Sequence, residues 1–491
     1  MKKLILYRGS SPKIQRTGRW ETGILFLLII LVHTACQTPP GSNEAAGDPW
    51  NQVEAISGHI EAPAFPGQDF TVTDFGAKGD GTTDCLPAIK QAIEACHLQG
   101  GGRVVIPEGV FLVNGPIHLR SNVNLHIAGG GTIKFGTDPE DYPLVFTRWE
   151  GMECMNYSPL IYAFDQENIA ITGAGTLDGQ ADNEHWWPWS GKERYGWEAG
   201  MPRQQDSLNR PDLSRQNTAE VPAGERVFGE GHYLRPNFIQ PYRCKNILIE
   251  GITVQNSPMW ALHPVLCENV TIQKVSVISH GPNSDGCDPE ACRNVLIQEC
   301  YFDTGDDCIA LKSGRNQDGR NIGVPVENVI IRNCTMKDGH GGVVIGSEAS
   351  GGARNIFAED CEMDSPNLER AIRIKTNKAR GGTIENLYFR NIAVGQVKEA
   401  VVKINMRYTL DGEPDVHIPT IRNISVENVT SQKSGFGIKI DGYSADHPVR
   451  NVKIKNCEFN GVARGNDINH AENLMLENVK INGKLLTEAF Q

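Results

Sequence analysis

The sequence predicts an all-β chain wound as a right-handed parallel β-helix, a solenoid with one short capping helix near its N-terminus. Two observations lead there. A short phrase recurs down the chain, as in "KNILIEG", "ENVTIQK", "RNVLIQE", "ENVIIRN" and "RNVKIKN". Its asparagines are Asn168, Asn246, Asn269, Asn294, Asn328, Asn355, Asn386, Asn423, Asn451 and Asn473, and from Asn246 onward the steps are 23, 25, 34, 27, 31, 37, 28 and 22 residues. Each phrase alternates apolar and polar residues at period two, as a half-buried strand does. One such strand cannot bury a core alone, whereas stacked coils can. Composition agrees, because 52 glycines with only 7% aromatic residues suit a turn-rich β protein.

The capping element is the stretch Thr82–Gly102, "TTDCLPAIKQAIEACHLQGGG", in which Leu86, Ile89, Ile93 and Cys96 fall on one helical face. Thr83 or Asp84 can cap its start and Gly100 its end. Such a helix hides the open edge of the first coil. Between Asn168 and Asn246 lie 78 residues, too many for one coil, so an insert is expected around 180–236. It carries Trp186, Trp187, Trp189 and Trp197, which either pack it in place or wall one end of a groove.

Upstream of the coils, basic residues precede the apolar run Gly23–Val32, which is short for a bilayer span. The run ends in "HTAC", so residues 1–35 read as an export signal of lipoprotein type with lipidation at Cys36. Residues 36–67 read as a flexible tether, leaving 68–491 as one β-helix domain. The expected location is the periplasm or the outer membrane, with membrane contact only through that lipid. The net charge of −12 argues against nucleic-acid partners, and any anionic substrate must be met by local cations.

The repeat also interprets the cysteines. Cys300, Cys334, Cys361 and Cys457 lie six residues after a repeat asparagine, and Cys244, Cys267 and Cys292 two before one. Other coils place Ile or Val there, so these thiols read as core filler. No zinc-ligand spacing is present, and neither a metal nor a cofactor is expected.

Polar residues gather on three successive coils: "NSDGCD" (Asn283–Asp288), "GDDC" (Gly305–Cys308) and "GHGG" (Gly339–Gly342). With the first turn taken as four residues longer, Asp285, Asp306 and His340 form one column and Gly286, Asp307 and Gly341 the next. One coil on, Arg373 and Lys375 alternate onto the same face. Singly, an Asp-Asp turn, a histidine between glycines or an Arg-x-Lys strand is most simply structural. Together they suit general acid and base cleavage with cations holding an anionic substrate. Calcium held by the acids is the rival reading.

In order and spacing, "NSDG", "GDD", "GHG" and "RIK", with "DFGAKGDGTTD" near the start, resemble glycoside hydrolase family 28, the polygalacturonase family. Ser284 stands where threonine is common, and Gly305 where many fungal members carry glutamine. The resemblance implies metal-free, inverting hydrolysis of α-1,4-galacturonosyl bonds. It implies Asp306 as general acid, Asp285 and Asp307 as activators of water, and His340 as the group that orients or tunes the acid. Arg373 and Lys375 would bind the galacturonate carboxylate, Tyr408 would contact substrate, and Asn283 would shape the site. The chain is most similar to bacterial exo-acting members. Alternatives are endo action, a rhamnogalacturonan-type substrate, a calcium-dependent pectate lyase, or a non-catalytic carbohydrate-binding β-helix.

Overall fold

The computed structural model describes residues 47–408 and 416–486. The expected signal at 1–35, Cys36 and the first part of the tether lie outside the described residues. Coil after coil, the strands pair in parallel, and most belong to one 25-stranded sheet. The right-handed parallel β-helix is the fold, as the repeat predicts. Its interior is a ladder of stacked apolar residues. Val270, Val295, Val329, Ile356, Leu387, Ile424, Val452 and Leu474 pair rung to rung and are all buried.

The recurrence of asparagine has a backbone cause. Every repeat asparagine from Asn168 to Asn473 sits in the left-handed region, with φ between 54° and 59°. Asparagine is among the few non-glycine residues that enter this region at low cost. The side chains then form a second ladder, each Nδ2 donating to Oδ1 one coil earlier, as in Asn269 to Asn246 at 3.1 Å and Asn451 to Asn423 at 2.9 Å. Asn122 begins this ladder, although its phrase "SNVNLHI" lacks the preceding charged residue of the others. Five residues after most of these asparagines a second left-handed residue, such as Lys274, Glu299, Asn333 or Asn391, turns the next corner.

The capping helix spans Leu86–Leu98, and Leu86, Ile89, Ile93 and Cys96 are its buried face. Residues Asp80–Asp84 form a strand instead of its first turn. Asp84 Oδ1 accepts the Leu86 amide at 3.1 Å, and Gly100 ends the segment at φ 91°.

Two expectations require correction. The tether expected over 36–67 contains a helix, Asn51–Ser57, whose Val53 and Ile56 pack on Leu296, Ile330 and Phe357. Those three residues point outward from adjacent strands and form an apolar stripe that needs a cover. Trp50 meets Phe357 edge-on at 5.5 Å and lies beneath the Arg390 guanidinium at 3.8 Å. Composition suggested a linker, whereas the spacing of Trp50, Val53 and Ile56 held the helical signal. The insert is also larger than 180–236. It packs with a hairpin made by Leu144–Trp149 and Met152–Tyr157, which pairs with Val227–Phe228. Trp149, Met152, Leu213, Phe228, Leu234 and Trp260 form its own small core.

Trp186, Trp187 and Trp189 of the insert are packing groups. Trp186 is buried, Trp187 donates from Nε1 to the Ser257 carbonyl at 2.9 Å, and Trp189 lies 5.1 Å from both the Trp186 and Tyr233 rings. The twelve described cysteines are all unpaired and buried, in keeping with core filling.

Candidate active site

The polar cluster lies along one face of the solenoid, where Ile239, Leu262, Cys287, Ile309, Val343, Ile372 and Val402 pair in series. Asp306 and Asp307 enter this face just before the strand Ile309–Leu311. Gly305 permits the turn: a Cβ there would stand 2.4 Å from the Gly281 carbonyl oxygen on the preceding coil. A longer residue at this position would therefore need a different turn below it. Gly341 leaves room for its own coil and the one before it, since its Cβ would press on Val344 and lie 3.2 Å from Asp307 Oδ1.

The columns differ by one residue from the expectation. Ser276 pairs with Tyr301, an offset of 25, but Cys287 pairs with Ile309, an offset of 22. The extra turn is thus three residues longer, not four. Asp285 stands opposite Asp307, and Asp306 stands below His340, whose amide donates to the Asp306 carbonyl at 3.0 Å. Loop length had been judged from sequence, while the pairing is decided by where the strand closes.

All eight described site residues converge. His340 Nδ1 lies 2.8 Å from Asp306 Oδ1. Burial disfavours charge on Asp306, but His340, Lys375 and Arg373 together outweigh it and hold the carboxyl well below its usual range. The Asp306 charge raises His340 in return. Asp307 is fully buried and accepts from Lys375 Nζ at 2.6 Å and Arg373 Nη1 at 3.1 Å. Against burial, those two cations keep it ionised. Asp285 differs: burial pushes it up to about 8, Lys312 opposes this, and the charges of Asp306 and Asp307 add to it. Tyr408 lies beside the cations, its ring 5.5 Å from the Arg373 guanidinium and 5.3 Å from Lys375 Nζ. Asn283 Oδ1 accepts from Arg235 Nη2 at 2.8 Å, so Asn283 is itself held in place.

One oxygen each of Asp285, Asp306 and Asp307 lies within 4.8 Å of the others. Acids this close can share a cation, and here Lys312, Arg373 and Lys375 supply positive charge at contact distance. His280, Asp303 and Asp338 make a second, more exposed group, in which His280 Nε2 already pairs with Asp303 at 3.2 Å.

Several residues at the site escaped sequence reasoning. Arg235 is fully buried and braces the Asn283 turn, donating also to the Pro258 carbonyl at 2.8 Å. Lys312 pairs with Asp285 at 3.3 Å, and its signal was a lone lysine closing the apolar run "CIALK". The insert brings Arg194 and Tyr195 to a cavity of about 250 Å³ that His280, Asp338, His340 and Lys398 also line. Lys192, whose charge burial disfavours, is near enough for Asp306 to oppose that shift. A second cavity, of about 200 Å³, holds Lys378, Arg407, Tyr408 and Tyr443.

With the fold and the paired acids in view, comparison with known proteins places the chain. Residues 228–482 match the model of glycosyl hydrolases family 28, and all eight described site residues fall inside that match. Residues 70–138 match a rhamnogalacturonase A/epimerase, pectate lyase-like model. An exopolygalacturonase structure from Thermotoga maritima is 48% identical, with a TM-score of 0.85, covering 89% of this chain and 96% of that one. A family 28 exopolygalacturonase from Yersinia enterocolitica is 25% identical at TM-score 0.65, covering 86% and 79%. An exo-poly-alpha-D-galacturonosidase of Dickeya chrysanthemi is 27% identical over 383 residues, 74% of this chain and 62% of that protein. The chain belongs to glycosyl hydrolases family 28.

Proposed function

We propose that the protein is a polygalacturonase that hydrolyses α-1,4-galacturonosyl linkages and acts from chain ends. The observation that carries this reading is the half-buried Asp306, held by His340 and set against Asp285 and the Asp307–Lys375–Arg373 group. In this reading Asp306 protonates the leaving oxygen, drawing on the proton it shares with His340. Asp285 and Asp307 attend the attacking water. Arg373, Lys375 and Tyr408 meet the galacturonate carboxylate and overcome the net charge of −12. Chain-end action is supported by the insert, which puts Arg194 and Tyr195 into the cavity on the His340 side. The exo-acting relatives agree with it.

A second reading exchanges the acids. Asp285 is the carboxyl that burial keeps protonated, and a proton donor is recognised by its raised pKa. Inversion is taken from the family resemblance.

The test is digestion of polygalacturonate with EDTA present. Expected are reducing ends, monomer as the early product, no unsaturated sugar, and the β-anomer first by proton NMR. Ultraviolet-absorbing product that EDTA abolishes would point to a lyase instead, and mixed early oligomers to endo action. For location, the N-terminal sequence supports export and anchoring through Cys36. Mass spectrometry of the mature N-terminus is expected to find diacylglyceryl-modified Cys36, and an unmodified residue there would remove the anchor.

A further inference from the structure

We propose that Lys312 is a positioning residue for the reaction, whose buried ammonium holds Asp285 in place and sets the pH at which that carboxyl changes charge. This rests on the reading of Asp285 as a reacting group.

Lys312 is almost wholly buried. Its Nζ donates to Asp285 Oδ2 at 3.3 Å, lies 3.6 Å from Glu348 Oε2 and 4.0 Å from Asp288 Oδ1, and sits 4.4 Å over the Trp260 ring. Its partner on the preceding rung, Glu290, is already paired with Arg148 at 3.0 Å and His263 at 2.7 Å. Burying an ammonium is unfavourable unless it is paired, so the charge requires a partner.

Asp288 stands farther off, with Oδ1 4.0 Å from the Lys312 ammonium. Both of its carboxylate oxygens are buried and accept no hydrogen bond among the described residues. Burial, with the Asp285 charge adding, pushes Asp288 above the carboxylate range, and Lys312 opposes this. Glu348 shares its charge between Lys312 and Arg380, 3.5 Å away. Of the three carboxyls around Lys312, Asp285 is the nearest and the one its ammonium hydrogen-bonds. The charged groups that face Asp285 are Lys312, Asp306, Asp307 and Lys375, with Asp288 beside it. Burial, Asp306 and Asp307 disfavour its ionised form, and Lys312 is the strongest group opposing them. Lys375 is already engaged by Asp307. Removing the Lys312 charge must raise Asp285 further.

The sign of the effect on rate follows. If Asp285 works ionised, as a base, the acidic limb of the kcat/KM profile moves to higher pH. If it works protonated, the alkaline limb moves to higher pH. In either case Lys312→Met on trigalacturonate shifts one limb upward by about one pH unit or more, about tenfold in rate at a fixed pH on that limb. Lys312→Arg is expected to bring that limb back toward the wild-type position. Both limbs unmoved in a folded Lys312→Met protein would overturn the proposal.

Glu348→Gln supplies an independent arm should Lys312→Met not fold. Without Glu348, more of the Lys312 charge falls on Asp285, and the same limb moves downward. No downward shift would count against the proposal. Carboxyl carbon-13 titration, with Asp285 assigned through Asp285→Asn, reads the same shift without any substrate. Wild-type protein that leaves trigalacturonate intact would sink the hydrolase reading, while the titration alone would still decide the link from Lys312 to Asp285.

Discussion

Asp306→Asn is expected to fold as the wild type does and to lose about 10³-fold in turnover of oligogalacturonate, within the range that a positioned acid or base contributes. The substitution keeps the shape and an oxygen for the Asp307 amide, which Asp306 Oδ1 accepts at 3.0 Å. It removes the charge that raises His340, so the shared proton is lost from the pair. In the wild type that proton is retained until pH rises through the raised pKa of His340. Activity that depends on it is therefore full on the acid side of that value and falls on the alkaline side. An aryl galacturonide, whose leaving group needs no proton, separates the two readings of the acids. If Asp306 is the acid, the variant keeps much of its rate on the aryl substrate. If it loses both substrates equally, Asp306 serves the water and Asp285→Asn should show the leaving-group rescue instead. Wild-type turnover of oligogalacturonate by a folded Asp306→Asn protein would end both assignments.

Lys375→Ala is expected to lower kcat/KM about 10²-fold, through a fall in kcat as well as a rise in KM, in the range of about 2–5 kcal/mol for truncating a buried charged pair. The sequence alone suggested a free cation awaiting a substrate carboxylate. In the structure Lys375 is buried and already 2.6 Å from Asp307, so it also holds an acid of the site. Truncation leaves Asp307 with Arg373 as its remaining direct partner, and a broken buried pair is strongly destabilising. A clear drop in Tm should accompany the kinetic loss. A rise in KM alone, with kcat and Tm unchanged, would show that Lys375 serves only the substrate.

What was legible in the sequence depended on local order. The alternation around Asn269, Asn294 and Asn328 marked coils because inward and outward faces alternate at period two whatever lies next door. The same logic placed Cys300 and Cys334 in the core, and "GDDC", "GHGG" and "RIK" on one face. It failed where a long-range choice mattered. A run such as "WNQVEAI" looks like linker until Leu296, Ile330 and Phe357 are seen to stack into a stripe that it covers.

The sequence by itself determined the coil architecture, the face that carries the acids, and the residue types of the polar cluster, because strand periodicity and left-handed asparagine corners are properties of short segments. Only the tertiary structure decided that Asp285 stands opposite Asp307, that Lys375 and Arg373 clasp Asp307, that Lys312 reaches Asp285, and that the insert brings Arg194 and Tyr195 to the site. Those facts depend on how loops of unequal length close between rungs and on which charges share a buried space, and neither is encoded in spacing along one strand.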